Sequence, residues 1–136
     1  MAARKQNLIS AEQGFLEPWQ WAEYLRGYPT ALLLDIRCFL RRHVDGLAEK
    51  FNTKSRYFGY AGADGSDVLY LYVQKQGLQI DLNIDRAHED ELRQSGFTVN
   101  HVNNYQGRAG WLTGWQVPHD TQNIEIVTRW IIKAFE

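Results

Sequence analysis

An α+β fold, with an antiparallel sheet of about five strands and two amphipathic helices on one face, follows from three features of this 136-residue chain. The stretch 67–84 holds two apolar segments around Lys75-Gln76-Gly77, and the second alternates Leu78, Ile80, Leu82 and Ile84 with polar residues. A period of two marks a half-buried strand, so this stretch reads as a β-hairpin. Leu33, Ile36, Leu40, Val44, Leu47 and Phe51 recur at three-to-four spacing, the period of an amphipathic helix. Ile124, Val127, Ile131 and Ala134, with Trp130 beside them, repeat that period near the end.

Taken in order, residues 1–14 are polar and aperiodic, a loose arm with Leu8 and Ile9 as its apolar contacts. Pro18 suits the first turn of a short helix carrying Trp19, Ala22 and Tyr24-Leu25, which Gly27 ends. Trp19 and Trp21 are two apart and face different sides. Pro29-Thr30 opens the long helix, extended to Phe51 by its apolar spacing. Tyr57–Ala61 reads as a strand and 63–66 as a turn. In the hairpin, 67–73 is apolar on both faces, as in a strand covered on both sides, and Gly77 is expected at positive φ. Asp85 caps a short acidic helix over 86–95 that Gly96 ends. Residues 97–102 alternate as a strand, 103–110 form a loop, and 111–117 form another strand with Gly114 at a bulge or a close backbone approach. Asp120 or Thr121 caps the final helix.

The length fits one domain, 1–136, with a real core. A net charge of −1 gives no global field toward nucleic acid or anionic lipid. The halves differ mildly: 1–56 hold nine Lys/Arg and six Asp/Glu, 57–136 six and ten. The single cysteine, Cys38, excludes an internal disulfide and reads as a small buried or half-buried hydrophobe in a helix. No signal-peptide pattern or membrane-length apolar run is present, which makes a cytoplasmic protein without membrane contact the expectation.

Several phrases together are suggestive: Lys54-Ser-Arg-Tyr57-Phe-Gly-Tyr60 after a long helix, Tyr72-Val-Gln-Lys-Gln-Gly-Leu78, Asp81-Leu-Asn83, and Gly110-Trp111-Leu-Thr-Gly114-Trp115-Gln-Val117 before a terminal helix. Over about 30–136 the chain resembles an uncharacterised bacterial domain family. Its members occur alone, or C-terminal on proteins labelled predicted nucleases or, loosely, predicted transport proteins. The resemblance implies no activity, and residues 1–29 fall outside it.

The chemistry is sparse. A restriction-type nuclease site needs an acid on one strand and Glu/Gln-x-Lys on the next; Asp67, Gln74 and Lys75 supply the types, but adjacent Gln74 and Lys75 point to opposite faces. His43, His88, His101 and His119 are dispersed, so no metal set or cofactor is implied. No serine sits in a nucleophile elbow. The Gly107-Arg108-Ala109-Gly110 loop, with Tyr105 and Trp111 beside it, is the candidate ligand-binding surface, joined by Tyr60 and Trp115. Arg37 and Arg41, one turn apart, read as a solvated helix face or an anion contact. With no catalytic constellation and many aromatics, the expected function is a non-catalytic binding or accessory module for an unknown ligand or protein partner. A homodimer built through an aromatic sheet face or an edge strand is one alternative. A phosphodiester-acting enzyme or nucleic-acid-associated domain is the other.

Overall fold

The computed structural model describes residues 7–11, 13–84, 86–94, 101–103 and 111–136. The chain runs β1 (Leu8–Ser10), two short 3-10 turns (Pro18–Gln20 and Ala22–Leu25), α1 (Ala31–His43), β2 (Ala48–Asn52), β3 (Tyr57–Ala61), β4 (Asp67–Val73) and β5 (Gly77–Asn83). A 3-10 turn (Arg86–His88) leads into α2 (Glu89–Gln94), followed by β6 (His101–Asn103), β7 (Trp111–Pro118) and α3 (Glu125–Phe135). The class is α+β. The described strands form one antiparallel sheet in the order β1-β2-β3-β4-β5-β7-β6.

Residues opposite each other in a ladder share a face of the sheet. The register therefore draws one row, Ile9, Phe51, Phe58, Leu71, Ile80 and Trp115, across six strands. All of that row except Ile9 is buried, and Leu32, Leu33, Ile36 and Leu40 of α1, Leu92 of α2, and Val127, Trp130 and Ile131 of α3 join the same core. The two long helices thus cover one face, as their apolar stripes predict. At roughly 25 cal/mol per Å² of apolar surface, burial of this row against the helices is the main favourable term in the fold.

Among the described residues the sheet has seven strands where about five were expected, because two were hidden. The long helix stops at His43 instead of running to Phe51. Val44 caps it, Asp45-Gly46 turn the chain, and Leu47, Glu49 and Phe51 are buried at a period of two. Leu47 and Phe51 happen to satisfy a helical spacing from Leu40 and Val44, which disguised β2. β1 lies inside the segment expected to be loose, and from residue 8 onward the arm is tied down. Ile9 packs on the core, Gly14 N–H donates to Leu47 O at 2.8 Å, and Gly14 O accepts from Glu49 N–H at 2.9 Å.

The central hairpin forms as expected, with Leu69–Val73 facing Leu78–Leu82. Its glycine works differently. Gly77 is not among the positive-φ residues. It opens β5 opposite Pro118, where a Cβ would lie 2.2 Å from Val117 O. Glycine is required there by close backbone approach, not by turn geometry. Between Ile80 and Leu82 the register slips, so that Thr113-Gly114 oppose one residue, the bulge expected at Gly114. Cys38 is exposed on α1 rather than buried. Trp21 is buried and Trp19 is 77% exposed. At α3, Asn123 accepts the Glu125 N–H at 3.0 Å, so neither Asp120 nor Thr121 caps the helix. Residues 85 and 95–100, where a cap and a strand start were expected, lie outside the described residues.

Candidate functional site: the tyrosine face of the sheet

The period of two in β3 and β4 sends Tyr57, Gly59, Tyr70 and Tyr72 to the face opposite the helices. Registers pair Tyr57 with Tyr72, Tyr72 with Gln79 and Gln79 with Gln116; the next row is Lys50, Gly59, Tyr70 and Asp81. Residues 67–73 were expected to be covered on both sides. Among the described residues the helices cover only the Leu69-Leu71-Val73 side, and on the other side the tyrosines cover one another. Ring centroids lie 5.3 Å apart for Tyr57 and Tyr70, 5.0 Å for Tyr57 and Tyr72, and 6.5 Å for Tyr70 and Tyr72, all tilted or edge-on. Such geometry is worth about 0.5–1.5 kcal/mol per pair beyond burial. All three are half-buried.

A bulge aims the acid of this face. Tyr60 pairs with Leu69 but Ala61 pairs with Asp67, so the register shifts and Asp67 turns onto the tyrosine side. Its Oδ2 accepts from Lys50 Nζ at 2.8 Å and from the Tyr70 hydroxyl at 2.5 Å. Gly59 lies between Lys50 and Tyr70 in the ladder. A Cβ there would meet Lys50 Cε at 2.9 Å and Tyr70 Cε1 at 3.0 Å, so the missing side chain lets both close over the strand. Amides continue the surface: Gln74 Nε2 and Gln116 Nε2 both donate to Gln79 Oε1 at 3.4 Å, and Gln79 Nε2 donates to Asp81 Oδ1 at 3.3 Å.

Burial, and then the hydrogen bond to Asp67, hold the Tyr70 phenol well above its ordinary value. Its proton stays on the hydrogen bond to Asp67 throughout the physiological range, so what the residue offers a ligand is its ring, and it is not suited to relaying a proton. Tyr60, in the core, is also raised well above its ordinary value, by burial first and by the negative Glu49 second. In the unfolded chain both phenols ionise near 10. Above that pH the unfolded state binds fewer protons than the folded one, so stability is full below about pH 10 and falls as pH rises. Tyr60 contributes a slope of up to about 1.4 kcal/mol per pH unit; Tyr70, half exposed, contributes less because solvent screens it. Absorbance titration near 295 nm should show these two phenols ionising only as the protein unfolds, and Tyr70→Phe should make the alkaline loss shallower.

Of the candidates named from sequence, Tyr60, Trp115, Arg37 and Arg41 fall elsewhere. Tyr60 and Trp115 are in the core, 0% and 1% exposed, and cannot meet a ligand at the surface. Trp111 begins β7 opposite Asn83 and Asn103, while Tyr105 and Arg108 lie outside the described residues. Arg37, read as a solvated or anion-contacting side chain, is buried and holds an anion of its own chain. Its Nε and Nη2 donate to Glu49 Oε2 and Oε1, both at 2.8 Å, and Nη2 also donates to Leu16 O at 3.0 Å. Leu16 N–H and the Tyr60 hydroxyl complete the Glu49 carboxylate at 2.8 and 2.6 Å. Burial opposes the Arg37 charge, but the hydrogen bond and charge of Glu49 win and leave its pKa raised. Arg41 is exposed and lies over the Phe15 ring at 4.8 Å.

Asp67 and Lys75 do not converge. Asp67 opens β4 and Lys75 lies in the turn beyond its other end, with roughly 20 Å of strand between them at 3.4 Å per residue. Among the described residues no group of three or more His, Cys, Asp or Glu is placed to hold a metal ion, and no helix is long and apolar enough to cross a membrane. The tyrosine face was half legible in sequence. Tyr70 and Tyr72 alternate with Leu69, Leu71 and Val73, yet bringing Tyr57 and Lys50 beside them required the register. No protein-family model, curated protein or solved structure matches this chain.

Proposed function

We propose that this chain is a non-catalytic binding module and that it binds an uncharged polar partner through the tyrosine face. The carrying observation is the clustering of Tyr57, Tyr70 and Tyr72 on the side of the sheet opposite both long helices, beside an internally neutralised Lys50–Asp67 pair. Rings supply flat apolar area at low entropic cost, and the amides of Gln74, Gln79 and Gln116 supply donors and acceptors. Depletion of unpaired charge with enrichment of tyrosine is the composition of an interface centre. A phosphate backbone would need a basic groove, and Lys50, beside the tyrosines, is already bound to Asp67. The separation of Asp67 from Lys75 favours binding over phosphodiester cleavage. Membership of the bacterial family that the strand phrases resemble, and a cytoplasmic setting, belong to the same proposal.

The test is read at the face itself. Tyrosine-ring NMR signals are followed while neutral oligosaccharides, uncharged peptides and mononucleotides are added, and sedimentation velocity of the protein alone examines self-association. Neutral ligands should perturb Tyr57, Tyr70 and Tyr72, and Tyr72→Ser, folded by circular dichroism, should weaken binding by roughly tenfold or more, the share of a central aromatic contact. Dimerisation that Tyr72→Ser abolishes would make a second copy the partner. Unmoved rings with every ligand, in a protein that stays monomeric at high concentration, would refute the proposal.

A further inference from the structure

At the end of the sheet away from Asp67, two cations meet on one ring. Arg56 Cζ lies 5.1 Å and Lys75 Nζ 4.6 Å from the Tyr28 ring centroid. They come from different elements, Arg56 from the β2–β3 turn and Lys75 from the β4–β5 hairpin. The Val73 N–H bond to Arg56 O at 3.0 Å ties the two turns together. Two positive charges sharing one ring are separated by no more than about a Debye length in 0.1 M salt, so they repel each other. Four other cations among the described residues have an acid at hand, Arg37 with Glu49, Lys50 with Asp67, Arg93 with Glu89 and Arg129 with Glu125, and on the Phe15 ring, which Arg37 shares with Arg41, one of the two cations is neutralised in this way. Among the described residues neither Arg56 nor Lys75 has an acid within ion-pair distance.

Two further features point the same way. Arg56 is the one non-glycine residue at positive φ among the described residues, at 56°. Backbone of that kind is strained and persists only where the surroundings hold it. Its Nε–H is buried and donates to no group among the described residues. The preceding turn is already satisfied internally, since Asn52 Oδ1 accepts from Lys54 N–H and Ser55 N–H at 3.0 and 2.7 Å and Asn52 O accepts from Arg56 N–H at 2.8 Å. That frame fixes where the Arg56 side chain leaves the backbone, while its guanidinium keeps donors to spare.

We infer that Tyr28, Arg56 and Lys75 form an anion site for a phosphate group. The guanidinium fork meets two phosphate oxygens, the ammonium meets a third, and the bound charge removes the repulsion between the cations. Tyr28 holds both side chains in place through its ring, so its role is positioning. This site is separate from the tyrosine face and stands or falls independently of it.

The experiment titrates inorganic phosphate, adenosine monophosphate and a short oligothymidylate into the intact protein at constant ionic strength. Tyr28 ring and Lys75 amide signals are followed by NMR, and Tm is measured with phosphate against chloride. Arg56→Asn keeps a residue that tolerates positive φ, and Lys75→Gln changes an exposed hairpin residue, so both variants should fold. The site predicts saturable shifts at Tyr28 and Lys75 and a phosphate-dependent rise in Tm. Lys75→Gln should weaken binding by about tenfold, the worth of one charge-assisted hydrogen bond, and Arg56→Asn, which removes the two-pronged contact, by more. Tyr28→Leu should weaken it less while leaving phosphate selectivity over chloride intact. Tighter binding of oligothymidylate than of the mononucleotide, lost in the double variant, would identify the phosphate as nucleic-acid backbone; equal binding would identify a small phosphate ester. No saturable shift with any of the three, or the same shifts in the Arg56→Asn/Lys75→Gln double variant, would overturn the assignment.

Discussion

Arg37→Met lowers the stability of this protein by about 3–5 kcal/mol, the usual consequence of leaving one partner of a buried ion pair alone. Glu49 is 0% exposed, and with Arg37 gone its carboxylate keeps only the Leu16 N–H and the Tyr60 hydroxyl. At this chain length the loss should appear as a fall of roughly 10–20 °C in Tm. The guanidinium also lies 5.1 Å from the Trp21 ring and 5.4 Å from Phe15, so its removal loosens the N-terminal segment on the core. Converting the whole polar cluster to apolar groups, with Arg37→Met, Glu49→Leu and Tyr60→Phe together, should recover much of the loss, because no buried charge then remains. A double-mutant cycle on Arg37 and Glu49 measures the coupling. A single Arg37→Met variant within about 1 kcal/mol of the parent would show that water reaches Glu49 and that the cluster does not hold the segment.

Gly77→Ala is the second large effect, about 3 kcal/mol destabilising, toward the upper end for overpacking. The added Cβ would lie 2.2 Å from Val117 O and 2.9 Å from its carbonyl carbon, and backbone in a paired strand cannot swing aside as a side chain can. The strain falls on the β5–β7 ladder, which joins the end of the hairpin to the C-terminal strand. Gly65→Ala is the control. Gly65 sits at φ 84° with open space around its missing Cβ, so that change should cost only about 1 kcal/mol through backbone conformation. Urea unfolding of both variants separates the two mechanisms; equal effects would remove close approach as the reason for Gly77.

β3 to β5 were readable because each carries its own period of two and lies between strong turn signals. α3 was readable because its stripe is uninterrupted. β2 was not, because Leu47 and Phe51 extend the helical spacing of Leu40 and Val44, and only the Asp45-Gly46 turn breaks it. Arg37 and Glu49 are charged residues twelve apart in sequence, and nothing local marks them as a buried pair; their burial exists only once α1 lies on β2. Tyr57, Tyr70 and Tyr72 form one surface only once the register of β3 on β4 is set.

From its own residues this chain determines an α+β architecture, a central hairpin around Lys75-Gln76-Gly77, and the apolar sides of its two long helices, since each depends on a periodicity within one segment. Which charges are buried, which aromatic rings are core and which are surface, and where two cations share a ring were decided by tertiary structure alone. Those are properties of pairs brought together across strands and turns, and a one-dimensional pattern carries no information about the partner until the ladder registers fix it.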